Sequence, residues 1–166
     1  MAARIGLALV VVLGITLFIA NRDVPEGLAG RPEISVEFPE TAAPGSTQTA
    51  VFTIRNPGPN EMKSVFLAFA RVGPAPGASV IPVPIVDPGA QHVNPAIVSI
   101  SPEPEASSIE AVVFRFGPLG VGESITISFE LKVPEDPGPA ANSVSAYPGE
   151  NPELAKGVRL GTEVGG

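Results

Sequence analysis

The sequence predicts an all-β protein, an antiparallel β-sandwich of about 7–9 strands preceded by one N-terminal hydrophobic helix. Three observations predict it. After residue 31 the apolar residues recur with period two rather than 3.6. Turn dipeptides, mostly Pro-Gly, separate the apolar runs. Proline and glycine number twenty and eighteen of 166 residues, with no Gly-X-Y repeat. Each proline fixes φ and lacks a backbone donor, so this density suits many short strands and excludes long helices and collagen.

The strands can be placed one by one. Residues 123–132 alternate Ile125, Ile127, Phe129 and Leu131 with Thr126, Ser128, Glu130 and Lys132, giving one apolar and one wet face. Residues 48–56 put Ala50, Phe52 and Ile54 inward, with Thr49, Thr53 and Arg55 outward. Residues 108–116 place Val112, Phe114 and Phe116 on one side. Further candidates are 33–38, 63–71, 79–86, 96–101, 142–147 and 157–164. The 63–71 segment is apolar on both faces, so it reads as a central strand covered twice or as an interface. The Pro-rich stretch 73–88 reads as an edge strand or crossover. Turns are expected at 43–46, 56–60, 87–89, 120–122 and 136–139.

Composition bounds both core and partners. With no Trp, no Cys and a single Tyr (Tyr147), the core must be built from Val, Ile, Leu, Ala and eight Phe. Disulfides, thiolate metal sites and cysteine nucleophiles are impossible. The net charge is −7, and the cations beyond residue 22 are scattered singly. A nucleic-acid surface needs them clustered, so no nucleic-acid partner is expected.

The first segment reads as targeting. A cationic start at Arg4 precedes an uncharged apolar run from Ile5 to Ala20, the mark of a signal peptide or a signal-anchor. As a helix, sixteen residues span roughly 24 Å, short of the ~30 Å hydrocarbon core unless residues 1–4 extend it. Cleavage after Ala20 is poorly specified because Phe18 stands where a small residue is needed, while Gly27-Leu28-Ala29 fits better. Anchor and cleaved signal both stay open. The expected organisation is residues 1–22 as signal peptide or signal-anchor helix, 23–31 as linker and 32–166 as sandwich. The partner of the first segment is the membrane, and the sandwich is expected to face outside, anchored in the cell membrane or secreted.

Three blocks carry a family likeness. They are Pro-Gly-Ser-Thr-Gln-Thr-Ala-Val-Phe-Thr-Ile-Arg-Asn-Pro-Gly-Pro-Asn at 44–60, Leu-Gly-Val-Gly-Glu-Ser-Ile-Thr-Ile-Ser-Phe-Glu-Leu-Lys-Val at 119–133, and Asn-Ser-Val-Ser-Ala at 142–146. With them the sequence resembles the conserved repeat domain of bacterial and archaeal surface proteins, an immunoglobulin-like (Ig-like) domain of unknown function. More loosely it resembles the bacterial cell-adhesion-related domain. It departs from the family in lacking an Asp-x-Leu-Pro segment after the third strand. The resemblance implies an Ig-like sandwich that serves as an extracytoplasmic structural or interaction module, acting through protein–protein contacts at the cell surface. It supplies no catalytic residues. The alternative expectation is a subunit of an extracellular filament or biofilm matrix, self-associating by β-strand complementation with residues 24–38 as the donor.

Chemistry-bearing residues are few. His92 is the single histidine, with no nucleophile motif near it. The carboxylate pairs Glu103/Glu105 and Glu135/Asp136 lie in Pro-flanked turns, without aromatic neighbours to hold a sugar. A hard cation such as Ca²⁺ would first use Glu135, Asp136 and Asn142. A Lys–Asn isopeptide would need Lys63, Lys132 or Lys156 to be buried. The sequence therefore predicts no enzyme, no catalytic, cofactor or metal site residues and no cofactor. Replacing His92 with Ala should change stability by less than ~0.5 kcal/mol, measured by urea denaturation. Loss of a measured activity in a normally folded variant would overturn the non-enzyme expectation.

Overall fold

The computed structural model of the protein describes residues 29–70, 79–81, 96–108 and 112–165. The expected helix within residues 1–22, His92 and most of the Pro-rich 73–88 stretch lie outside the described residues.

The period-two segments form two sheets. The first has the order β1-β3-β9-β6, built from Glu33–Glu37, Thr47–Arg55, Ser124–Lys132 and Ile97–Ser101. The second runs β2-β11-β10-β4-β8-β7, built from Thr41–Ala42, Lys156–Val164, Gly138–Pro148, Val65–Phe69, Val113–Phe116 and Ala106–Ser108. β5, Ser79–Val80, pairs in parallel with β10 at Ala140 and Ala141. A four-strand sheet facing a sheet with three successive strands in the order β11-β10-β4 is the ABED-over-GFC pattern of an Ig-like sandwich. The hairpin β7–β8, inserted between β6 and β9, widens the second sheet beyond β4. The only helix among the described residues is a 3₁₀ turn at Pro152–Leu154.

The core lies where the inward faces meet. Ala50, Phe52 and Ile54 of β3 oppose Phe129, Ile127 and Ile125 of β9 in register. All but Ile125, which is partly buried, are completely buried. Leu67 and Phe69 of β4 and Phe114 and Phe116 of β8 come down from the other sheet. Four phenylalanines join the layers. Phe129 meets Phe52, Phe69 and Phe114 edge to face at 5.7, 5.3 and 5.2 Å between ring centres, the geometry that aromatic quadrupoles favour.

Turn chemistry fixes the strand ends. Pro44 and Gly45 occupy the centre of a turn in which Ser46 N–H donates to Ala43 C=O at 3.2 Å. Gly45 has φ 65°, the positive value that the third residue of a type II turn requires. Gly122, φ 80°, plays the same part between Gly120 and Glu123.

Several expectations need correction. Among the described residues there are eleven strands rather than 7–9, because the chain adds the two-residue β2 and splits residues 108–116. Ser108 pairs with Val113 and Ser107 with Phe114, so the chain reverses there. No Pro or Gly marks that reversal. Instead Val112 takes φ 49°, an uncommon and costly place for a β-branched residue. Strand 142–147 begins earlier, at Gly138, because Ala140 and Ala141 are both buried and erase the alternation. β4 is indeed central, between β10 and β8, and on its second face Phe66 and Ala68 are only partly buried by the described residues. Phe66 stands there half-buried, stacked on Tyr147 at 5.3 Å with planes 2° apart.

Phe129→Ala should cost about 3–5 kcal/mol, because it opens a cavity at the hub of the ring cluster. Chemical denaturation checks this, and a loss below about 1 kcal/mol would contradict the packing.

Candidate functional site

Two buried asparagines fasten loops to the sandwich. Asn56 is fully buried at the end of β3. Its Nδ2 donates to Asn60 C=O and Leu119 C=O, both at 2.9 Å, and its Oδ1 accepts from Gly58 N–H. Its backbone pairs with Glu123 and Gly122. The 56–60 turn and the 119–123 turn, which belong to the 44–60 and 119–133 blocks, are thus tied together by one side chain. Asn142, also fully buried, sits in the middle of β10. Its Nδ2 donates to Ile81 C=O at 2.8 Å and Ala70 C=O at 3.1 Å, and its Oδ1 accepts from Ala70 N–H. Asn56, expected in a turn, and Asn142, expected at the head of a strand, are both interior clamps here.

The carboxylates do not converge. Glu105 pairs with Arg115 at 3.5 Å, while Glu103 is exposed. Glu135 lies over Gly45, where an added Cβ would stand 2.5 Å from its Oε1. Asp136 is exposed, and Asn142 is committed inside the sandwich. Glu135, Asp136 and Asn142 are therefore not brought together as a cation site. Among the described residues no group of three or more His, Asp or Glu could hold a metal. Lys63, Lys132 and Lys156 are all exposed, so none meets the burial that an isopeptide bond requires. Burial pushes the Tyr147 phenol above its ordinary range.

What the fold does present is sheet edges. β1 carries exposed Glu33, Ser35 and Glu37, and Glu33 accepts from Arg55 Nη1 of β3 at 3.0 Å. β6 slips its pairing with β9 between Ile97 and Ser99, leaving Val98 bulged and 53% exposed. Beside it a hollow of about 460 Å³ runs to β7, lined by Val98, Ile100, Glu103 and Glu105 among others. β7 is three residues long and fully exposed. β11 is covered by β2 only at Glu163 and Val164.

No protein-family profile matches the chain, and no curated protein matches it. Solved structures do. PapD-like domain 7 of human CEP192 aligns at 16% identity and TM-score 0.39, over 87% of this chain and 93% of that one. A CARDB domain from Pyrococcus furiosus, in complex with di-metal ions, aligns at 12% identity and TM-score 0.42, over 87% and 98%. An alkylpurine DNA glycosylase of Pseudomonas fluorescens, bound to DNA with an abasic-site analog, aligns at 12% and TM-score 0.38. There the match covers 81% of this chain and 30% of the other. None of them lends a site or an activity to this chain.

Asn142→Ala should destabilise the domain by about 2–3 kcal/mol, since Ile81 C=O and Ala70 C=O lose a buried donor. The loss should be the same with Ca²⁺ and with chelator. A calcium-dependent difference in the denaturation midpoint would restore Asn142 as a metal ligand.

Proposed function

We propose that the protein is an extracytoplasmic Ig-like interaction module, anchored in the cell membrane or secreted by way of residues 1–22, that acts through protein–protein contact at the cell surface. The observation that carries this reading is the arrangement of the sandwich. A core locked by aromatic rings and buried amides holds wet outer faces and several sheet edges in fixed positions. A rigid scaffold with open edges suits recognition of another chain by main-chain hydrogen bonds and alternating side chains. The apolar run from Ile5 to Ala20 supports export. The turn-and-strand blocks at 44–60, 119–133 and 142–146 support kinship with the repeat domains of surface proteins.

The module is not an enzyme, takes no cofactor and does not bind nucleic acid in this reading. Arg55 and Arg115 are tied to Glu33 and Glu105 rather than gathered into a basic patch. A filament or biofilm-matrix subunit is the second reading, favoured by the stretch of β11 that β2 leaves unpaired among the described residues. Its donor is not a free 24–38 arm, because Glu33–Glu37 is already β1, paired along its whole length with β3.

Fractionation of the tagged full-length protein tests the location: it should be found in the membrane or outside the cell. Full-length protein in the soluble cytosolic fraction would refute both anchor and signal. Size-exclusion in detergent then separates the readings, a discrete species supporting the module and an open polymer the filament.

A further inference from the structure

β11 pairs with β10 in unbroken register from Lys156 to Val164. Its other side is a different matter. Glu163 N–H donates to Glu40 C=O at 2.8 Å and Gly165 N–H to Ala42 C=O at 2.9 Å, so the odd-numbered residues turn their backbone groups away from β10. By the alternation of an antiparallel ladder, Gly157, Arg159 and Gly161 point their N–H and C=O groups the same way. β2 stops at Thr41, and upstream of it no described residue of the second sheet pairs with them. The cause is the switch made by the N-terminal strand, which gives β1 to one sheet and only β2 to the other.

Three edges carry devices that discourage pairing. β6 is bulged, β7 is very short and β1 presents two glutamates. Residues 156–161 carry no proline and no bulge. Gly157 and Gly161 bracket Arg159 on the outer face and leave room beside it. Next to them lies a hollow of about 400 Å³, lined by Glu40, Pro139, Arg159, Gly161 and Thr162 among others. Thr162 is itself 7% exposed, and its side chain shares the inner face with Leu160 and Val164.

We propose that the edge of β11 over residues 156–161 is a docking site for an extended segment of another protein that alternates acidic and apolar side chains. The segment adds to the second sheet in line with β2. This rests on the interaction-module reading and names its surface and partner chemistry. The charge follows from Lys156 and Arg159, which are exposed and form no ion pair among the described residues. A carboxylate on the incoming strand meets Arg159, while its apolar residues face half-buried Val158. A second copy of β11 is disfavoured. Antiparallel pairing centred on the open stretch sets Arg159 against itself, and like charges directly opposite destabilise a sheet.

The test uses the full chain in detergent and a fluorescent Thr-Glu-Val-Glu-Val-Glu-Thr peptide, with Lys in place of Glu as control. The acidic peptide should bind, weaken with salt and slow hydrogen exchange at the Gly157, Arg159 and Gly161 amides. Arg159→Glu should weaken binding roughly tenfold or more. Arg159→Pro, which removes an N–H outside the ladder, should do the same. Circular dichroism verifies that each variant is folded, and Arg159→Glu decides the matter if the proline variant is not. No binding, equal binding of the Lys peptide, unaffected variants, or protection at β6 instead of β11 would each overturn the proposal. So would dimerisation through β11. Any of these leaves the interaction-module reading intact, since cytosolic recovery of the full chain is what sinks that one.

Discussion

Everything in this domain hangs on the edge-to-face contacts between Phe129 and three other rings. Phe52 and Phe129 belong to one sheet, Phe69 and Phe114 to the other. With no cysteine to cross-link the layers and no tryptophan to fill the space between them, these rings are the heaviest apolar groups spanning the gap. Aromatic pairs of this geometry contribute about 0.5–1.5 kcal/mol each beyond their buried area. They also fix how the sheets face each other, because a ring edge finds its partner's face in only a few orientations. The strand register follows, since slipping β9 by one residue would turn Phe129 to the solvent.

The buried asparagines complete what the rings begin. Apolar packing is tolerant of direction, whereas an amide in the interior must find donors and acceptors or cost about 1–3 kcal/mol for each group left unmade. Asn56 holds the 56–60 and 119–123 turns at one fixed separation. Asn142 does likewise for the backbone at Ala70 and Ile81. These contacts give the 56–60 and 119–123 turns, and the backbone at Ala70 and Ile81, fixed places against the sandwich.

How much of this could be read from residue order depends on range. The strand around Phe129 was legible because alternation is a local signal, and the Pro44-Gly45 turn because its backbone angles demand those residues. The reversal before β8 was not legible, since Val112 gives no hint of a positive φ. The interior roles of Asn56 and Asn142 were hidden for another reason. Asparagine is a common turn residue, and its burial is decided by carbonyls 61–72 positions away in the chain. The open stretch of β11 is a property of what does not pair with it. No run of residues can encode that alone, so the candidate surface emerged only from topology.

The division of the first strand between two sheets also has a mechanical side. β2 runs parallel to β11, so the chain enters the domain at one end of the sandwich and leaves it at the other. Tension applied between those two points is borne first by β1 against β3, and then pulls β2 and β11 along their lengths in opposite directions. The hydrogen bonds from Glu163 to Glu40 and from Gly165 to Ala42 then share the load in shear, instead of parting one after another as in a zipper. A domain strung this way yields abruptly, at a threshold force, and stays whole below it.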